Sequence, residues 1–193
     1  MGIEFELKYR ATPQILQQLR QQTPGAARQI EMQTTYYDTP SGQFSARRWT
    51  LRRRLENGKS VCTLKMPTDG LGRREWEIPC ERIEEALLEL CKLAESSELS
   101  LLAAEGLIPI CGARFTRIAK TVQTPECTLE LALDQGILTG GDASCPLYEV
   151  EVELKDGSQE ACLAYAEALA RQYDLTPEPV SKFRRALDLR KEE

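Results

Sequence analysis

The feature that most limits what this chain can become is a strict alternation of charged and apolar residues, repeated in separate segments. Glu4-Phe5-Glu6-Leu7-Lys8 opens the chain with it, and Glu149-Val150-Glu151-Val152-Glu153-Leu154 carries its most acidic version. A β-strand sends successive side chains to opposite faces. Each of these segments is therefore expected to form a strand with one charged face and one apolar face. Arg73, Glu75 and Glu77 repeat the alternation once more.

Turn chemistry fixes how two of these strands meet. Asn57-Gly58 separates the strand candidates Trp49 to Leu55 and Ser60 to Lys65, and Asn-Gly between two such runs is a strong two-residue hairpin signal. A two-residue loop sets the register. Glu56 then faces Lys59, Arg54 faces Val61, Arg52 faces Thr63 and Thr50 faces Lys65. Arg52, Arg54 and Lys65 share one face, while Leu51, Leu55 and Leu64 share the other. Three cations with no acid in that pairing form either a solvated basic face or an anion site.

A second hairpin is expected from Ala113–Val122 and Cys127–Asp134 around Thr124-Pro125-Glu126, which sets Arg117 opposite Asp134 and Thr121 opposite Glu130. Glu149, Glu151 and Glu153 add three carboxylates on one strand face. They are tolerable if solvated, if matched by the cations above, or if they hold a metal.

Helices fill the intervals. Thr12-Pro13 reads as N-cap and first position of a helix running through Leu19. Ile83–Leu93, Leu99–Glu105, Gln159–Tyr173 and Ser181–Arg190 follow as helices, with Met32–Tyr37 as another strand. Asp38–Gly42 and Asp69–Gly72 read as turns. Strands outnumber helices and most connections are tight, so the fold class is α+β, with a mostly antiparallel sheet or barrel and flanking helices. Closing the sheet would turn its charged faces inward, and a barrel of about eight strands leaves room inside for side chains or one small ligand.

Composition removes several kinds of chemistry. The chain has 193 residues, enough for one domain with a real core, and it contains no histidine. Imidazole general bases, Ser-His-Asp and Cys-His nucleophile systems are thereby excluded. The seven cysteines are scattered without a C-x-x-C pair, which argues against a disulfide framework or zinc site and for a reducing cytoplasm. The net charge of −5 argues against nucleic acid as the main partner. No apolar run approaches the roughly 20 residues that span a bilayer, and the first residues lack the pattern of a signal peptide. An all-carboxylate acidic set suits a hard cation such as Mg²⁺ or Mn²⁺, and converging Lys and Arg suit phosphate.

Taken in order, Glu4-x-Glu6-x-Lys8, Tyr36-Tyr37-Asp38-Thr39, Leu51-Arg52-Arg53-Arg54, Thr63-Leu64-Lys65, Arg73-Arg74-Glu75-Trp76-Glu77, Glu130 to Asp134, Glu149-Val150-Glu151 and Ser181-Lys182 resemble the CYTH superfamily, the triphosphate tunnel metalloenzymes. The likeness covers nearly the whole chain, and the stretch from Leu129 to Gly136 is especially similar to bacterial inorganic triphosphatases. The resemblance implies a single domain over residues 1–193: a closed eight-stranded antiparallel β-barrel, the triphosphate tunnel, with flanking helices. It implies Glu4, Glu6, Glu149 and Glu151 as metal ligands, with Glu130 and Asp134 at a second metal or positioning water. It implies Lys8, Arg52, Arg54, Lys65, Arg117 and Lys182 as grips on phosphate oxygens. Lys8, with the four glutamates, belongs to the catalytic set.

The implied activity is hydrolysis of inorganic triphosphate to diphosphate and phosphate. The alternatives are a class IV-type adenylate cyclase, a thiamine or nucleoside triphosphatase, and a non-catalytic polyphosphate- or nucleotide-binding module. A cytoplasmic enzyme of small-molecule triphosphates is expected, with a homodimer possible and neither membrane nor nucleic acid as partner. Arg184-Arg185 reads as a surface pair, Tyr36 and Tyr37 as core, and Trp76 as packing outward under a helix.

Overall fold

Asn57 and Gly58 both take the left-handed conformation, at φ 50° and 81°. A two-residue turn that follows the twist of its strands needs positive φ at both positions. The turn joins β3 (Thr50–Glu56) to β4 (Lys59–Pro67), with Glu56 opposite Lys59, Arg54 opposite Val61, Arg52 opposite Thr63 and Thr50 opposite Lys65, as the loop length predicts. The computed structural model describes residues 5–67 and 73–192; the turn expected at 69–72 and the ligand candidate Glu4 lie outside them.

The second hairpin joins β6 (Ile108–Gln123) to β7 (Cys127–Gly140), and it places Arg117 opposite Asp134 and Thr121 opposite Glu130. Thr124 closes it: its backbone N–H donates to the Cys127 carbonyl at 2.9 Å, and its hydroxyl accepts from the Cys127 N–H at 3.0 Å. β8 (Ala143–Gly157) returns along β7. With β1 (Glu6–Arg10), β2 (Ala27–Asp38), β5 (Arg73–Pro79) and β9 (Thr176–Pro177), the strands form one sheet in the order β5-β4-β3-β2-β6-β7-β8-β1-β9. Every pairing in it is antiparallel.

The expected closed eight-stranded barrel requires a correction. Among the described residues the sheet has nine strands and is open, ending at β5 and β9. The reason lies at β1. Its second edge is taken by the two-residue β9, with Tyr9 opposite Pro177 and Arg10 opposite Thr176. A proline has no N–H to give to a further strand, so β9 ends the ladder where β5 would have to dock.

The apolar face is covered in two places. α1 (Pro13–Gln22) and α5 (Gln159–Tyr173) bury Leu16, Leu19, Cys162 and Ala166 against Leu129, Leu131, Leu133, Val150 and Val152. Each such leucine contributes roughly 1.5–3 kcal/mol by leaving water. At the other end of the sheet, α2 (Gln43–Ala46), α3 (Ile83–Ala94) and α4 (Ser97–Ala103) cover Leu51, Cys62 and Leu64, with Trp76 packed against the same cluster as expected. The short α2 carries no sequence period; the Asp38 carboxylate builds it by accepting the N–H groups of Phe44 and Ser45 at 2.8 and 3.0 Å.

Local signals explain the helix ends. Thr12 accepts from the Ile15 N–H at 3.3 Å and Pro13 starts α1. The C-terminal carbonyls of Arg20 and Thr23 are met by the buried Lys120 ammonium at 2.6 and 2.5 Å. This is the charge that the negative end of a helix favours.

α6 (Lys182–Asp188), followed by a 3₁₀ turn at Leu189–Glu192, lies on the charged face instead. Phe183, Ala186 and Leu187 pack on Tyr36, Cys111, Ala113, Phe115, Leu138 and Leu147, the ends of four neighbouring strands. One end of the charged face is therefore apolar and sealed by this helix. The seat is close: a Cβ added at Gly140 would stand 2.1 Å from the Ala186 carbonyl oxygen. Gly140→Ala should cost about 1–3 kcal/mol through overpacking, lowering Tm by several degrees. An unchanged thermal unfolding curve would show that α6 has room to move away.

Candidate functional site

Strand parity brings the charged residues together. Tyr36 and Thr34 on β2 pair with Arg52 and Arg54 on one side and with Cys111 and Ala113 on the other. Arg117 on β6 pairs with Asp134 on β7, which pairs with Glu149 on β8. Lys8 on β1 pairs with Glu151, and Glu6 with Glu153. All of these residues share one face, with the basic strands β3 and β4 on one flank, the acidic strands β7 and β8 on the other, and the neutral β2 between.

The acidic centre is Asp134, Glu149 and Glu151, whose oxygens come within 4.8 Å of one another. Asp134 and Glu149 are wholly buried and Glu151 nearly so. Three cations hold them. The Arg117 guanidinium donates to both oxygens of Asp134, at 2.8 and 2.7 Å, and also to Glu151. Lys182 reaches Asp134 at 2.9 Å and Glu151 at 2.6 Å, and donates to Glu149. Arg185 donates to the other oxygen of Glu149.

Burial alone would raise both glutamates. For Glu149 it prevails, with the Glu151 charge adding to it, and the carboxyl is pushed up to about 7 against the opposing pull of Lys182 and Arg185. For Glu151, Lys182 and Arg117 outweigh burial and hold the carboxyl well below the usual range. The Lys182 ammonium is raised despite its burial, because Asp134, Glu151 and Glu149 surround it.

The expected ligand set is only partly assembled. Glu149 and Glu151 are in the cluster, joined by Asp134. Glu6 lies one rung away, with its carboxylate 3.5 Å from Lys8. Glu130 sits at the rim and pairs with Arg28 at 3.2 Å. Glu153 pairs with Lys155 at 2.6 Å.

The β3–β4 pairing itself holds no acid opposite Arg52, Arg54 or Lys65, and the neighbouring strand supplies one. Lys65 does have an acidic partner, Glu75 on β5, at 3.0 Å, and Arg52 lies 3.8 Å from the same residue. Arg54 reaches Glu56 at 3.3 Å. These contacts leave donors over: the Nε atoms of Arg52 and Arg54 are buried without a hydrogen-bond partner among the described residues. Burial, with Arg54 beside it, pulls the Arg52 guanidinium below its ordinary value. An anion between these two arginines would satisfy donors that the protein leaves unmet.

The donors also bear on a metal. The cluster offers only carboxylate oxygens, and the chain has no histidine. That set fits a hard dication such as Mg²⁺ or Mn²⁺ and not a softer one.

Three site residues were hidden in the sequence. Arg185 reads as a surface cation, yet it lies on Glu149. Its signal is the Ser181 N-cap, which accepts from the Arg184 N–H at 3.2 Å; a helix starting there sets Lys182 and Arg185 three apart on one face. Glu178 and Arg10 carry no comparable signal. Tyr36 is core, its ring 4.9 Å from that of Phe183, and so forms the seat of α6.

A profile of the CYTH domain matches residues 2–187. The inorganic triphosphatase of Haemophilus influenzae is 30% identical over 190 residues, covering 94% of this chain and 53% of the relative. The chain thus spans about half the length of that relative. Among solved structures, a Hippeastrum protein described as a candidate adenylyl cyclase with a dominant triphosphatase activity superposes with a TM-score of 0.65 at 20% identity, over 94% of this chain and 93% of its own. A candidate adenylate cyclase from Bacillus halodurans gives 0.62 at 18% identity, over 93% and 94% of the two chains. These two likenesses show the fold. The profile spans nearly every charged strand described above, and the chain belongs to the CYTH domain family.

Proposed function

We propose that this protein hydrolyses inorganic triphosphate to diphosphate and phosphate on the charged face of its sheet, with Mg²⁺ or Mn²⁺ as cofactor. The observation that carries this reading is the pairing on one face of buried arginine donors without partners and a buried three-carboxylate cluster. An anion binder alone gains nothing from the acids, and a cation site alone gains nothing from the arginines.

Arg52, Arg54 and Lys65 grip one end of the phosphate chain, and Lys8, Arg117 and Lys182 the other. Asp134, Glu149 and Glu151 would hold the metal, with Glu6 and Glu4 on the neighbouring strand as further ligands and Glu130 at the rim. A bound dication supplies charge neutralisation on the phosphate oxygens. The arginines and lysines neutralise the charge that spreads over the transferring phosphoryl group. Water attacks the terminal phosphorus, the bond to the bridging oxygen breaks, and diphosphate leaves with the electron pair. A carboxylate of the cluster orients the water and takes its proton.

Trp49 is buried against Phe44 with ring centroids 6.0 Å apart and so is not a stacking platform for an aromatic substrate. A small-molecule triphosphate is the partner that the charged face favours. The seven free thiols suit a reducing cytoplasm, and no described helix is long and apolar enough to cross a membrane.

The test is phosphate release from triphosphate, ATP and thiamine triphosphate with Mg²⁺ or Mn²⁺, alongside an assay for cyclic AMP. Triphosphate should be turned over with kcat/KM at least about tenfold above the organic substrates, a margin of about 1.4 kcal/mol. Cyclic AMP as the main product, or tight triphosphate binding with no release, would refute the proposal.

A further inference from the structure

Glu178 is a wholly buried carboxylate outside the acidic cluster. Burying such a charge costs several kcal/mol unless it is paired, and Glu178 is paired heavily. It accepts from Arg10 Nε at 2.5 Å and from the Val180 N–H at 3.0 Å, and a terminal nitrogen of Arg185 lies 3.3 Å away. Its own N–H donates to the Lys8 carbonyl at 2.8 Å, so it is tied to β1 at both backbone and side chain.

The second terminal nitrogen of Arg185 donates to Oε2 of Glu149. Lys182 donates to the other oxygen, Oε1. The Arg185 fork therefore bridges two buried carboxylates, one inside the cluster and one outside it. Glu149 thus has Oε2 on Arg185 and Oε1 on Lys182, and Lys182 also reaches Asp134 and Glu151.

We propose that Arg185, braced by Glu178 and through it by Arg10, is a positioning residue that sets Glu149 for metal binding. The proposal rests on the reading of Asp134, Glu149 and Glu151 as the metal site. Carboxylate ligands are themselves oriented by hydrogen bonds from a layer behind them, and loss of such a partner typically costs 10–100-fold in metal affinity or activity. Only arginine serves here. Lysine keeps the charge, but its single ammonium does not offer the two-pronged reach between Glu149 and Glu178.

Arg185→Lys, Glu178→Gln and the double variant of the full chain test this by Mn²⁺ titration followed by electron paramagnetic resonance. Each single variant should bind Mn²⁺ about 10–100-fold more weakly. Each should lower kcat for triphosphate while leaving KM within about twofold, since the phosphate grips are intact. The double variant should be no worse than the weaker single, because both act through one oxygen of Glu149. Wild-type Mn²⁺ affinity in Arg185→Lys, or strictly additive losses in the double variant, would overturn the relay while leaving the metal site standing. A wild-type protein that binds no Mn²⁺ would overturn the functional reading, and the relay with it. Should Glu178→Gln fail to fold, Arg185→Lys decides alone.

Discussion

Glu151→Gln is expected to abolish metal-dependent phosphate release, with kcat/KM down by at least about 10²–10³-fold, the scale seen when one preorganised charge-stabilising group is removed. Glu151 is the carboxylate on which Arg117 and Lys182 converge. Loss of its charge weakens the cluster's hold on a dication and takes one acidic partner from each of these two cations. The variant should nevertheless fold. Four buried carboxylates (Asp134, Glu149, Glu151, Glu178) face the four cations Arg10, Arg117, Lys182 and Arg185. After the substitution Arg117 keeps both oxygens of Asp134, and Lys182 keeps Asp134 and Glu149. The Glu149 carboxyl, pushed up to about 7 chiefly by burial, loses the Glu151 charge that also raises it. Thermal unfolding should therefore shift by only a few degrees while phosphate release disappears. Glu6→Gln, at a half-exposed position one rung away, should lose turnover with even less effect on folding. Full activity in either variant would remove these glutamates from the site.

The registers of both hairpins were readable because turn length and the period of two leave no freedom. A slip of one residue would turn every leucine of β3 to the charged side. Those registers put Arg52, Arg54 and Lys65 on one face of their hairpin and Arg117 with Asp134 on one face of theirs; that these are the same face, shared with Glu149 and Glu151, follows from the pairing of β2 with β3 and β6 and of β7 with β8. The alternation could not say whether the sheet closes. A charged face looks the same whether it lines a tunnel or lies open, and the outcome is set by Thr176-Pro177, two residues with no period of their own. The seat of α6 was hidden for a similar reason. Phe183, Ala186 and Leu187 make an ordinary amphipathic stripe, and nothing in it says that its apolar partner is the sealed end of an otherwise charged face. Arg185 and Glu178 were missed because their partners lie far away in sequence, on strands whose own residues already looked accounted for.

Arg52→Gln should give opposite signs on two measurements. The Arg52 Nε is buried without a partner, Arg54 stands two residues away on the same face, and the nearest carboxylate contact, to Glu75, is long at 3.8 Å. A buried donor left unmet costs about 1–3 kcal/mol, and the like charge of Arg54 adds to that cost. Glutamine removes the charge and shortens the side chain, so the free protein should gain stability and melt several degrees higher. The same change withdraws a charge-assisted grip on the phosphate chain, worth about 1.5–3 kcal/mol, so KM for triphosphate should rise on the order of 10–100-fold. Lys65→Gln supplies the contrast, because its ammonium is already met by Glu75 at 3.0 Å; it should weaken substrate binding without raising Tm. A lower Tm for Arg52→Gln would mean that the arginine is there for the fold, and an unchanged KM would mean that triphosphate does not bind between Arg52 and Arg54. Stabilisation joined to loss of binding is the signature of a residue kept strained for its ligand.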